Sequence, residues 1–245
     1  MRIRQLFRDV RHETEKTGAR KLFVVTVLFS VLSSFLTMGY FRAHKGTLMQ
    51  EGMYDSFQFL GFSILFQSLA LVFFSALFWY WLLSQENRWG TWGMLLTKPV
   101  PKFRWLMVKH AVFLCFFAVF VLLNAAVSFV FLFAQQMEIN TFFAQVYLVM
   151  LLIGPAISYS QALFHLAVKN GILASTLSVT WIFLYIVQNN LPTVLVKWLP
   201  VFYVGFVWDG TAILPGRFVT YLLLTVLFMT GVFWVSVRKN DYAYE

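Results

Sequence analysis

The sequence predicts an all-α integral membrane protein of six transmembrane helices, and three observations carry that prediction. Hydrophobic residues make up 60% of the chain and charged residues only 12%, about half the charge of an ordinary soluble domain. Mean hydropathy is +0.73, so the polar residues are too few to cover the apolar surface and the bilayer must serve as part of the solvent. Cutting the chain at Lys, Arg, Asp and Glu leaves six runs long enough for a helix to cross about 30 Å of hydrocarbon, which takes roughly 20 residues. They are Leu22–Phe41, Ser56–Gln85, His110–Met137, Ile139–Val168, Asn170–Val196 and Phe218–Val237.

Ahead of the first run, residues 1–21 predict an interfacial helix. Ile3, Leu6, Phe7 and Val10 recur at helical spacing, and Arg4, Arg8 and Arg11 occupy the opposite side. Such a helix lies in the headgroup layer with its apolar face down and its arginines towards phosphates or a protein. No small-residue cleavage site follows the first run, which reads as a retained helix rather than a signal peptide.

The third and fourth runs are parted only by Glu138 and its polar neighbours Gln135, Gln136 and Asn140, and the fourth and fifth by Lys169-Asn170-Gly171. Both predict tight turns. Residues 188–216 contain Pro192, Pro200 and Pro215 around a strongly apolar stretch that is too short and broken to span. A re-entrant or interfacial pair of short helices fits, with Trp198, Tyr203 and Trp208 at headgroup level.

Orientation follows from charge. With the N-terminus inside, fifteen of the 19 Lys and Arg residues fall on the cytoplasmic side, and only Arg42, Lys45, Lys197 and Arg217 fall outside. Both termini are expected in the cytoplasm. The net charge of +9 then reflects this asymmetry and attraction to anionic lipids, and calls for no nucleic acid.

The spans lack the groups that intramembrane chemistry needs. None carries Asp or Glu in its interior, which counts against a proton-driven carrier. No metal-ligand cluster, His-Glu-x-x-His, Gly-x-Ser-x-Gly, Cys-x-x-Cys or Walker-type loop is present. The lone Cys115 lies in an apolar run, as a small hydrophobe would. His165, Asn124 and Gln67 read as packing or interhelical hydrogen-bonding residues. In the fourth run, Gly154-Pro155 predicts a kink. Gly154, Ser158 and Ala162 form a smooth stripe for close helix approach, read as packing within the chain, with a hinge or a dimer contact as the sharper alternative.

The segment Glu86–Lys109 is the most elaborated polar stretch. Residues 87–97 can form a short helix before Pro99, with Trp89, Trp92 and Leu96 on one face and Arg88, Thr91 and Leu95 on another. Two readings fit this pattern: a docking helix for a soluble partner, or a plain juxtamembrane turn.

The residues here resemble those of the type-2 ABC transporter permease family. Glu86-x-x-x-Gly90-Thr91, then Leu95-Leu96-Thr97-x-Pro99-Val100, then Lys109 opening the next run, is similar to the family pattern. Six spans, an interfacial N-terminal helix and a proline-broken hairpin before the last span extend the resemblance over the whole chain, as one permease domain of residues 1–245. Pro101 departs from the small polar residue that many relatives have.

The resemblance implies a half-transporter that pairs as a homodimer or as a heterodimer with a related permease, in contact with membrane lipids. It also implies a separate cytoplasmic ABC ATPase subunit that carries the ATP and Mg, this chain holding no cofactor, no metal and no catalytic residue. Residues 86–104 would be the coupling loop docked on that ATPase. Glu86, Gly90, Thr91, Leu95, Leu96, Thr97 and Pro99 would be its transmission residues, with Arg88 and Lys98 added as charge contacts from the chemistry of the loop. The resemblance further implies residence in a bacterial plasma membrane and export of amphipathic peptides, including bacteriocin self-protection, or small hydrophobic compounds. Two other functions compete: a membrane-embedded enzyme, which would need convergent polar side chains at one depth, and an accessory or sensor protein with a basic docking loop.

Overall fold

The computed structural model describes residues 3–84, 102–168, 170–186, 197–209 and 212–239. Its elements are helical apart from one two-residue β-ladder. In chain order the helices are α1 (Ile3–Thr17), α2 (Ala19–Ala43), α3 (Lys45–Gln50), α4 (Ser56–Trp79), α5 (Lys102–Ala134), α6 (Thr141–Ile153), α7 (Pro155–Ala167), α8 (Gly171–Ile186), α9 (Tyr203–Phe206) and α10 (Pro215–Lys239). Five stretches are long and apolar enough to cross a membrane: Ala19–Ala43, Ser56–Leu83, Leu106–Ala134, Thr141–Ala167 and Pro215–Val235. They match five of the six expected runs to within a few residues. The fifth run, Asn170–Val196, is described only as far as the 16 residues of α8. The remainder of that run lies outside the described residues.

Local chemistry sets the joints. Gly18 adopts φ 92° between α1 and α2, a left-handed conformation that glycine takes without steric cost. Asp55 caps α4 by accepting from the Gln58 N–H at 2.8 Å, and Asn140 and Asn170 cap α6 and α8 in the same way. The tight turn expected at 135–140 therefore forms where a polar side chain can satisfy the first N–H groups of the next helix, and Asn170 serves α8 likewise, Lys169 lying outside the described residues. At its far end α4 runs into a π-turn, Tyr80–Ser84, which no sequence pattern announced.

The helices pack by aromatic rings and by a polar seam. Phe59 stacks on Phe131 with centroids 4.7 Å apart, Phe41 on Tyr54 at 4.7 Å, and Trp79 on Phe113 at 4.9 Å. Deep in the bundle, Asn124 Oδ1 accepts from the Ser33 and Ser34 hydroxyls at 2.7 and 3.0 Å. Tyr147 OH donates to Ser128 Oγ at 2.6 Å and accepts from Gln67 Nε2 at 3.2 Å. Asn124 and Gln67 are thus the interhelical hydrogen-bonders expected of them. Lipid cannot satisfy such groups, so they hold α2, α4, α5 and α6 in one arrangement.

The 188–216 hairpin is partly as expected and partly not. Lys197 and Trp198 are helical and Pro200–Phe202 forms a 3₁₀ turn into α9, while residues 188–196, 210 and 211 lie outside the described residues. An unanticipated antiparallel pair then follows, Trp208–Asp209 with Ala212–Ile213. Trp198 is exposed, but Tyr203 is not at a surface. Its ring packs on Tyr221 of α10 at 5.2 Å, because the hairpin folds back over the bundle end.

Candidate functional site

The end of the bundle that carries α1 and both roots of the 85–101 segment holds the charged chemistry of the membrane domain. The α1 face turned to the bundle carries Glu13 and Thr17, each 8% exposed, with Val10 packed partly against the core, while Phe7 is 71% exposed. Asp9, Glu13 and Thr17 follow one another at i, i+4 and i+8, one helix face, and they meet the basic start of α5.

Two ion pairs make that contact. Arg104 Nε donates to Asp9 Oδ2 at 2.7 Å and Nη2 bonds the same oxygen. In the amide orientation that satisfies both groups, Gln5 Oε1 accepts from Nη2 and Nη1 of Arg104 at 2.9 and 3.0 Å. One turn and a half further along α5, Lys109 Nζ donates to Glu13 Oε1 at 2.6 Å and to the Leu82 carbonyl oxygen at 2.5 Å. The Lys109 side chain is 2% exposed and that of Glu13 10%. Leu82 belongs to the π-turn that closes α4. The last carbonyls of a helix lack partners within it, and here a buried ammonium fills that role.

Beside this knot, α7 seats against α4 and α5. Ser158 Oγ and Ser75 Oγ are 2.6 Å apart, and Trp79 Nε1 donates to the Ser158 carbonyl oxygen at 2.9 Å. His110 Nδ1 lies 3.0 Å from Tyr159 OH, with the two rings stacked at 5.0 Å. A cleft of 330 Å³ opens between α5 and α10 over this pair, lined by Met107, His110, Leu114 and Phe233 among others. His165 is buried, with its ring 6.4 Å from that of Tyr80.

The expected site residues divide sharply. Glu86, Arg88, Gly90, Thr91, Leu95, Leu96, Thr97, Lys98 and Pro99 lie outside the described residues. Gly154, Pro155, Ser158 and Ala162 are all buried inside the single chain. The fourth span breaks at Gly154-Pro155 into α6 and α7, as the kink predicts. Ser158 spends both its hydroxyl and its carbonyl on α4, so the small-residue stripe is occupied by the chain's own helices. Sequence reasoning named Lys109 only as part of a resemblance and did not single out Asp9, Glu13, Arg104 or the Leu82 carbonyl. A signal for two of them existed: Asp9 and Glu13 stand one turn apart on one face of an otherwise basic segment.

A family model described as ABC-2 family transporter protein matches residues 10–180, 171 of the 245 residues. The chain belongs to the ABC-2 transporter family. Among curated proteins no match is found. This ABC-2 protein is a multi-pass membrane protein and a permease subunit of an ABC transporter. The family match takes in Glu13, Arg104, Lys109 and the 85–101 segment, with Asp9 one residue ahead of it, so the Lys109–Glu13–Leu82 junction lies within the part of the chain that the family shares.

Proposed function

We propose that this ABC-2 permease forms the translocation path of an ATP-driven exporter and is driven by a separate cytoplasmic ABC ATPase subunit. ATP and Mg bind on that partner, which docks on the 86–104 loop, with Glu86, Gly90, Thr91, Leu95, Leu96, Thr97 and Pro99 as transmission residues and Arg88 and Lys98 as charge contacts. The observation that carries this reading is the family match over residues 10–180, which includes that loop.

The full arrangement has six spans, the fifth being Asn170–Val196 with α8 as its first part. Both termini are in the cytoplasm of a bacterium and two permease chains, identical or related, sit side by side in the plasma membrane among its lipids. Exposed Arg8, Arg11, Lys16, Arg20 and Lys21 crowd the α1 end of the bundle, against Arg42, Lys45, Lys197 and Arg217 at the other. That asymmetry supports the orientation. The cargo is amphipathic peptide or small hydrophobic compound, the classes that the family resemblance implies, with lipid-linked polymers as the alternative.

The test is affinity purification of the tagged chain in mild detergent with mass spectrometry of what accompanies it. A stoichiometric Walker-containing ATPase, lost when residues 86–99 are scrambled, is the expected result. A clean permease without ATPase, reproduced in lipid nanodiscs, would return the chain to an enzyme or sensor role.

A further inference from the structure

We propose that Lys109 is a positioning residue for energy coupling. Its buried ammonium ties α1, the end of α4 and the start of α5 into one body at the two roots of the 85–101 segment, so that displacing the segment moves three helices together. This role rests on the coupling reading above and extends it to residues outside the loop.

The geometry is a three-way junction. Lys109 stands on α5, seven residues past the start of that helix, and its Nζ reaches Glu13 of α1 at 2.6 Å and the Leu82 carbonyl oxygen at 2.5 Å. Leu82 lies just before the segment leaves α4 and Lys102 begins α5 just after it returns. The two ends of a loop and an independent N-terminal helix therefore share a single cation. A π-turn at the Leu82 side leaves its backbone carbonyl turned to an outside donor.

Burial argues that the charge is there for more than adhesion. A buried ion pair gains little net stability over a well-packed apolar pair of similar volume. A methionine at 109 could fill the space, so cohesion by itself does not account for a lysine that is 1% exposed. What the ammonium adds is direction: it fixes which carboxylate and which carbonyl are held, and so fixes the register of α1 on α5. The Arg104–Asp9 pair provides a second rung on the same two helices. Two rungs prevent α1 from swivelling about one contact.

The test uses the permease purified with its ATPase in lipid nanodiscs, with Cys115→Ser and Lys197→Cys. Lys197 is exposed at the bundle end opposite the knot. The rate of labelling by an impermeant maleimide is measured without nucleotide and with ATP plus vanadate. The parent chain is expected to label at different rates in the two states. Lys109→Met and Glu13→Leu should retain the ATPase and its hydrolysis but lose most of that difference, whereas Lys109→Arg, which keeps the charge and its donors, should keep it. Glu13→Leu leaves the Leu82 contact in place and removes the acceptor that ties Lys109 to α1.

A nucleotide response of parental size in Lys109→Met or in Glu13→Leu overturns the role of Lys109. Failure of both Glu13→Leu and Lys109→Arg to assemble makes the junction a folding element and overturns it too. A parent chain with no nucleotide response overturns the coupling reading itself and this role with it, and that result appears before any substitution in the knot is made.

Discussion

The indole of Trp79 donates to the backbone carbonyl of Ser158 at 2.9 Å, beside a 2.6 Å contact between the Ser75 and Ser158 hydroxyls. Two neighbouring bonds thus lock α4 to the first turn of α7, where Pro155 can donate no N–H and helix continuity is broken. The kink is held by another helix rather than left loose.

That locking sets the first prediction. Trp79→Phe keeps a ring to stack on Phe113 but removes the indole bond to the Ser158 carbonyl, while Ser158→Ala removes the hydroxyl contact alone. Interhelical hydrogen bonds in membranes are worth about 0.6 kcal/mol on average and reach about 1.7. Each variant should therefore lose on the order of 1 kcal/mol in reversible unfolding in mixed micelles. An unchanged midpoint in both would mean that the kink is held by apolar packing.

Gly154 should tolerate no side chain. A Cβ there would lie 3.1 Å from Phe117 Cζ and would collide with the Met150 carbonyl oxygen. Gly154→Ala forces either the α6 backbone or the α5 ring to shift, an overpacking cost of about 1–3 kcal/mol. Thermal unfolding of the purified protein checks this. Phe117→Leu, which withdraws the ring edge, should recover part of the loss.

On α1, Arg11 Nε donates to Glu15 Oε1 at 2.8 Å on the exposed face. That hydrogen bond, followed by the charge attraction of Arg11, holds the Glu15 carboxyl below its ordinary range. A carboxylate with a lowered folded value supports the helix above its unfolded pKa, and the support fades as pH falls through the folded value. Amide exchange in α1 should quicken as pH drops below about 4, relative to the intrinsic rate. Glu15→Gln should weaken that pH dependence.

The proposed orientation predicts labelling in intact cells. In a Cys115→Ser background, Gly46→Cys and Lys197→Cys should react with an impermeant thiol reagent, and Lys98→Cys should react only after permeabilisation. Reaction at Lys98→Cys in sealed cells would invert the topology.

The fold was largely legible in the sequence and the junction at its base was not. Span limits such as Ala19–Ala43 and Thr141–Ala167 are set by a local rule, because each stretch must satisfy its own backbone and match one membrane thickness. Caps such as Asn140 and the Gly154-Pro155 break are likewise short-range. The inward turn of Tyr203 and the face on which α1 docks depend on what lies opposite each residue once the chain has folded, and neither surface was visible in one segment.

Family membership, the polar-poor spans and the Glu86–Pro99 motif were determined by the sequence itself, because each is a property of neighbouring residues or of composition. Only the tertiary structure decided that Lys109 meets Glu13, 96 residues away, and the backbone of Leu82, 27 residues away. A carbonyl oxygen is the same in every residue, so no sequence pattern marks the one that will receive a cation. A buried charge finds its partners through the packing of helices, and that packing brings together residues that lie far apart along the chain.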